Sequence, residues 1–176
     1  FSLDFLSTAP RTLLAGEFGF LSASGGLAVT GDAILVTGLA ANVVNYGGIF
    51  ATGLAVNVSS AAVTIHNTGD ISASGNAALN FGLQSAATNA SIYNSGSITG
   101  LQNGTDAILI QTGGNTIINT GEIIGTNDDA IQINTNFGSG LVFNRITNFG
   151  LISGTGTGFA LSLGSDTDIV TNSGTM

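Results

Sequence analysis

Three aspartates in two neighbouring segments are the residues of this chain best suited to chemistry. They occur in Thr105-Asp106-Ala107-Ile108 and in Asn127-Asp128-Asp129-Ala130-Ile131. Asp106 and Asp129 both precede an Ala-Ile pair, so a structural repeat in that register sets the two carboxylates one strand spacing apart, with Asp128 beside them. Paired carboxylates cleave a glycosidic bond when roughly 5 to 9 Å separates the acid from the base or nucleophile. Clustered carboxylates also hold calcium, which takes about six to eight oxygens from acids, carbonyls and water. Glu122 can add an oxygen to such a cluster, and Asp166 and Asp168 form a second, sparser group. The competing reading is conformational, because Asp forms turns by accepting nearby backbone N–H groups.

Other chemistries lack their partners. His66 is the single histidine and there is no Cys, so neither a thiolate metal site nor a His pair exists. No nucleophile elbow accompanies the many Ser residues. The run Gly154-Thr155-Gly156-Thr157-Gly158 has no Lys behind it and reads as a tight corner, not a phosphate loop.

The elements that must position these groups are written in a repeat. Six times an aliphatic residue is followed by Asn two positions on, Gly two after that, and Ile, or finally Met, two later. The instances begin at Val43, Ile65, Ile92, Ile117, Ile146 and Val170, and their Asn residues are Asn45, Asn67, Asn94, Asn119, Asn148 and Asn172. Between these anchors stands a second pattern of period two: Ala55-Val56-Asn57-Val58, Ala78-Leu79-Asn80-Phe81, Ala107-Ile108-Leu109-Ile110, Ala130-Ile131-Gln132-Ile133 and Ala160-Leu161-Ser162-Leu163. Alternation of this kind predicts short strands with one buried face. Upstream, Ala33-Ile34-Leu35-Val36 repeats the strand, and Ala15-Glu17-Gly19-Leu21 reads as a worn anchor with Glu in the Asn place.

Together these patterns predict an all-β chain folded as a right-handed single-stranded parallel β-helix of about six to seven coils over residues 17–176. Residues 1–16, with Phe1, Leu3, Phe5 and Leu6, are expected to cap it. Stacked Asn residues are expected to form an amide ladder, the alternative being a polar row that contacts a ligand. Small residues after each anchor, at Ala51, Ala73, Gly100, Gly125 and Gly154, mark the bend into the next sheet. The long arc from Asn134 to Arg145 is the expected binding loop, with Phe137, Phe143 and Arg145 as its contact residues; Phe143 can alternatively turn into the core.

Composition narrows the partners. The chain carries ten acidic residues against only Arg11 and Arg145, a net charge of -8, so it lacks the basic footprint of a nucleic-acid binder. No apolar run approaches the roughly 18 residues that spanning a bilayer requires, so no membrane insertion of this segment is expected. Only 7 % of residues are charged, and Asn, Thr and Ser must wet the surface instead. The start at Phe1 and the stop at Met176, where Ile usually closes the anchor, predict a segment of a longer array.

Tandem Asn-x-Gly-x-Ile coils with Ala-Ile-x-Ile between them, poor in Lys and Cys, resemble the β-helical passenger domains of autotransporters and related filamentous adhesins of Gram-negative bacteria. The resemblance covers about residues 40 to 176. It implies an extracellular or bacterial cell-surface location and a non-catalytic stalk with no resident cofactor, whose loops meet a surface glycan or a protein ligand. A self-assembling extracellular filament, joined through coil ends, is the first alternative. The second rests on a narrower likeness: Asp106 followed one coil later by Asp128 and Asp129 is similar to polygalacturonases, β-helical glycosidases. Those enzymes add Gly-His-Gly and Arg-x-Lys segments further on, and this chain has neither.

Overall fold

A computed structural model of the chain describes residues 1–75, 77–81, 88–134, 143–164 and 168–176. Each turn of the chain lays one strand in each of three sheets. The first turn supplies β1 (Ser2–Leu3), β2 (Leu6–Ser7) and β3 (Arg11–Leu13), and the second β4 (Phe18–Leu21), β5 (Gly26–Val29) and β6 (Ile34–Val36). The third comprises β7 (Asn42–Asn45), β8 (Gly48–Ala51) and β9 (Val56–Val58); the fourth β10 (Thr64–Asn67), β11 (Asp70–Ala73) and β12 (Ala77–Phe81). The fifth holds β13 (Ser91–Asn94), β14 (Ser97–Gly100) and β15 (Asp106–Ile110), and the sixth β16 (Thr116–Asn119), β17 (Glu122–Gly125) and β18 (Ile131–Ile133). Then come β19 (Arg145–Asn148), β20 (Leu151–Gly154) and β21 (Leu161–Leu163), and β22 (Ile169–Asn172) opens a further turn.

The three sheets contain eight, seven and seven strands, each paired in parallel with its counterpart one turn away. The protein is therefore an all-β parallel solenoid. Among the described residues there is no helix long and apolar enough to cross a membrane.

Register makes the core. Val43, Ile65, Ile92, Ile117 and Ile146 stand directly over one another in the first sheet. Ile49, Ile71, Ile98, Ile123 and Ile152 do so in the second, and Ile34, Val56, Leu79, Ile108 and Ile131 in the third. These columns meet in the interior as one apolar cluster. Burying one such side chain is worth about 1.5–3 kcal/mol. Residues between the inward ones face out, as His66 does between buried Ile65 and Asn67.

The Asn-x-Gly-x-Ile anchor is thus two strands and a corner: Asn ends the first-sheet strand, Gly turns, and Ile enters the second sheet. The corner glycines answer to close approach, not to a left-handed backbone. A Cβ on Gly96 would lie 2.1 Å from the carbonyl oxygen of Gly69, and one on Gly121 would lie 2.2 Å from that of Gly96.

Two details at the N-terminal end differ from the sequence reading. The anchor of the second turn is not Ala15-Glu17-Gly19-Leu21: Gly19 pairs with Val43, Leu21 with Asn45, and Leu27 with Ile49. The frame is Gly19-Leu21-Gly25-Leu27, lengthened by two residues at its corner, with Leu21 in the Asn place. Leu21 also pairs with Leu3, so the column is apolar over the first two turns and the amide row begins at Asn45. Glu17 instead accepts the Leu14 N–H at 2.7 Å outside the anchor. Residues 1–16, expected as a cap, carry β1, β2 and β3, which join all three sheets as the first turn. Leu3 is buried and Phe1 packs on the core, while Phe5 and Leu6 are exposed.

Candidate functional site

The anchor Asn residues are bound to one another. Each side-chain Nδ2 donates to the Oδ1 of the Asn one turn on, from Asn45 through Asn67, Asn94, Asn119 and Asn148 to Asn172, at 2.7–2.8 Å. The same nitrogens reach the carbonyl of their own corner glycine and a carbonyl at the start of the next turn's second-sheet strand, as Asn94 does with Gly96 and Glu122 at 3.2 and 3.0 Å. Asn45, Asn67, Asn94, Asn119 and Asn148 are buried, so this row faces no ligand. Its donors and acceptors point one way along the rod, an arrangement in which amide dipoles reinforce each other.

A second polar row had no signal in the repeat pattern. Ala41, Val63 and Ala90 precede the first-sheet strands of the earlier turns, and Asn115, Asn144 and Asp168 take that place later. Asn115 Oδ1 accepts the Ala90 N–H at 3.0 Å, Asn144 Oδ1 the Asn115 N–H at 3.1 Å, and Asp168 Oδ1 the Asn144 N–H at 2.9 Å. Asp168 is therefore a backbone bracket in this row. Asp166, its expected companion, lies outside the described residues.

The three aspartates do converge. Ile108 pairs with Ile131, which brings Asp106 and Asp129 to matching places at the corner into the third sheet. One carboxylate oxygen from each of Asp106, Asp128 and Asp129 lies within 4.8 Å of the others. Asp106 is 6 % exposed and Asp129 5 %. Asp128 is half-buried and opens onto a shallow depression of about 470 Å³ lined also by Asn103, Gly104, Asn127, Gly156 and Thr157.

Their bonds differ. Asp129 Oδ1 accepts the Phe159 N–H at 2.7 Å and its Oδ2 accepts Gln132 Nε2 at 3.3 Å. Asp128 Oδ1 accepts the Asp129 N–H at 2.9 Å. Asp106 Oδ1 is buried and has no partner. Burial pushes the Asp106 carboxyl up to about 7, with the negative charges of Asp128 and Asp129 adding to the rise and a backbone N–H of Asp129 opposing it. Glu122 is exposed in β17 and does not belong to this group.

The corner has a simpler form elsewhere. Asp32 precedes Ala33 in the second turn, and its two oxygens accept the Leu54 N–H at 2.9 Å and Asn57 Nδ2 at 3.1 Å. One Asp at this corner serves as a bracket to the next turn, as Asp129 does toward Phe159. The stacking of two, with a third alongside, is what distinguishes the fifth and sixth turns.

Of the proposed binding loop, Phe137 lies outside the described residues. Phe143 is exposed rather than folded into the core, and the Arg145 guanidinium lies 5.9 Å from the centre of its ring. The imidazole of His66 stacks on Tyr93, centroids 4.7 Å apart and planes 10° from parallel. Each ring thus has one face covered by the other, and the pair is bounded in the column by Val44 and Ile118. Comparison of the chain with protein-family models, with curated proteins and with solved structures gave no match.

Proposed function

We propose that the chain is a segment of a secreted or cell-surface β-solenoid, an autotransporter-like or adhesin-like stalk whose role is mechanical and adhesive. The observation that carries this reading is that the recurring polar residues serve the stack itself. The anchor Asn row bonds along the rod, the corner glycines hold adjacent turns at close approach, and Asp32 and Asp129 bracket the next turn. Residues that recur are thereby used in building the rod, and contact with partners falls to the arcs that vary, among them the one ending at Phe143 and Arg145. From β1 to β22 the rod is roughly 34 Å long at the ordinary strand spacing.

A glycosidase reading is less well supported by the same residues. Asp129 has both oxygens engaged by protein donors, and Asp106 and Asp129 are too buried to flank a sugar ring. The stalk reading is tested on intact cells of the source organism with an antibody raised against the purified chain. Labelling that external protease removes is the expected result; labelling only after lysis overturns the surface assignment. Incubation of the purified chain with polyuronates should release no reducing ends, and release that Asp129→Asn abolishes would overturn the non-catalytic reading.

A further inference from the structure

We propose that Asp106, Asp128 and Asp129 form a binding site for a hard divalent cation of calcium's size, set at the corner between the second and third sheets of the fifth and sixth turns. Two observations combine. Oxygens within 4.8 Å of one another all fit on the shell of an ion that holds oxygens at 2.3–2.6 Å, whose diameter is about 5 Å. Asp106 Oδ1 has no partner, on a side chain that is only 6 % exposed and that faces the other two carboxylates. A buried carboxylate oxygen left unpaired is costly, and an ion at this point satisfies it.

Charge points the same way. The protein supplies no counter-charge here: Arg11 lies four strands along the same sheet, about 19 Å away at the usual strand spacing, and Arg145 belongs to another sheet. Asp32 shows what the corner needs when it serves structure alone: one carboxylate with both oxygens bonded to protein donors. The fifth and sixth turns add two more carboxylates than that role uses. Through Asp128, the depression beside Asn103 and Asn127 gives an ion its route in and room for water ligands. Bound there, the ion would tie the fifth turn to the sixth. The site is independent of the stalk reading.

The test uses the full chain, stripped with chelator, returned to chelator-free buffer and titrated with calcium chloride in a calorimeter. One site per chain is expected, together with a melting temperature that rises and saturates as calcium is added. Asp128→Asn should weaken binding at least tenfold, and so should the near-isosteric Asp106→Asn, which keeps the measurement decisive if either variant fails to fold by circular dichroism. Asp32→Asn, at the lone-aspartate corner, should bind within twofold of the parent. Absence of both heat and a thermal shift at 10 mM calcium chloride overturns the proposal, as does undiminished binding by the Asp106 and Asp128 variants. Magnesium binding as tight as calcium's would overturn the size assignment, since magnesium holds its oxygens at about 2.0–2.1 Å.

Discussion

Replacing Asn94 by Ala tests the amide ladder at an interior point. Asn94 accepts from Asn67 at 2.8 Å and donates to Asn119 at 2.7 Å and to the Glu122 carbonyl at 3.0 Å, while only 2 % exposed. The substitution removes these three bonds and a fourth, to the Gly96 carbonyl at 3.2 Å, and leaves the Asn119 Oδ1 without the ladder donor. A net hydrogen bond is worth about 1 kcal/mol and a stranded buried polar group costs about 1–3, so the loss should be about 5 kcal/mol. Asn172 supplies the contrast: it is exposed, its Oδ1 accepts one ladder bond from Asn148 at 2.8 Å and the local Gly174 N–H at 3.2 Å, and its Nδ2 reaches the Gly174 carbonyl at 3.4 Å. Asn172→Ala should cost about 1 kcal/mol. Urea unfolding followed by far-ultraviolet circular dichroism, at neutral pH and fixed protein concentration, measures both. Solenoids unfold by stacking units, so the comparison is of midpoints and slopes together. Equal costs at positions 94 and 172 would refute the reasoning, because the ladder would then add nothing to the local corner.

Two further outcomes follow from the packing and the charges. Gly96→Ala should be severely destabilising, since its Cβ would sit 2.1 Å from a backbone oxygen, whereas Gly48→Ala, with nothing within 4 Å, should stay within about 0.5 kcal/mol of the parent; similar thermal midpoints for the two variants would contradict the close-approach account. Asp106 holds its proton in the folded state up to about pH 7, whereas the unfolded chain releases it near the ordinary carboxylate value of about 4. The folded state therefore binds more protons across that window, so stability in chelator should be full below about pH 4 and fall as pH rises to about 7. Asp106→Asn should flatten that part of the profile; an unchanged slope in urea midpoints between pH 4 and 7 would count against it.

Much of the fold was legible because a solenoid repeats its geometry, and a repeated geometry repeats its residue demands. Inward columns require aliphatic residues at one register, which is why Ile65, Ile92 and Ile117 recur in phase. The corner where two backbones come within 2.2 Å of a would-be Cβ admits only Gly, so Gly69, Gly96 and Gly121 recur too. Legibility failed where the demand changed from turn to turn. Leu21 occupies the Asn place, where the column turns apolar toward Leu3, so the Asn that marks every later anchor is missing there. The row Ala90, Asn115, Asn144 and Asp168 switches from apolar to polar midway, so no single residue type marks it. Ala40 and Ala62 adopt φ of 56° at the return corner, a conformation usually signalled by Gly or Asn.

By itself the sequence determined the class of fold, the columns of the core and the fact that Asp106 and Asp129 share a register. These follow from periodicity, which is a property of one chain read against itself. Only the tertiary structure decided what each polar group meets. It placed Phe159's N–H on Asp129, left Asp106 Oδ1 unpartnered, and brought Asp128 to the rim of the same corner. Such outcomes depend on burial and on distances of a few ångströms between adjacent turns, quantities set by packing in three dimensions that no spacing along the chain encodes.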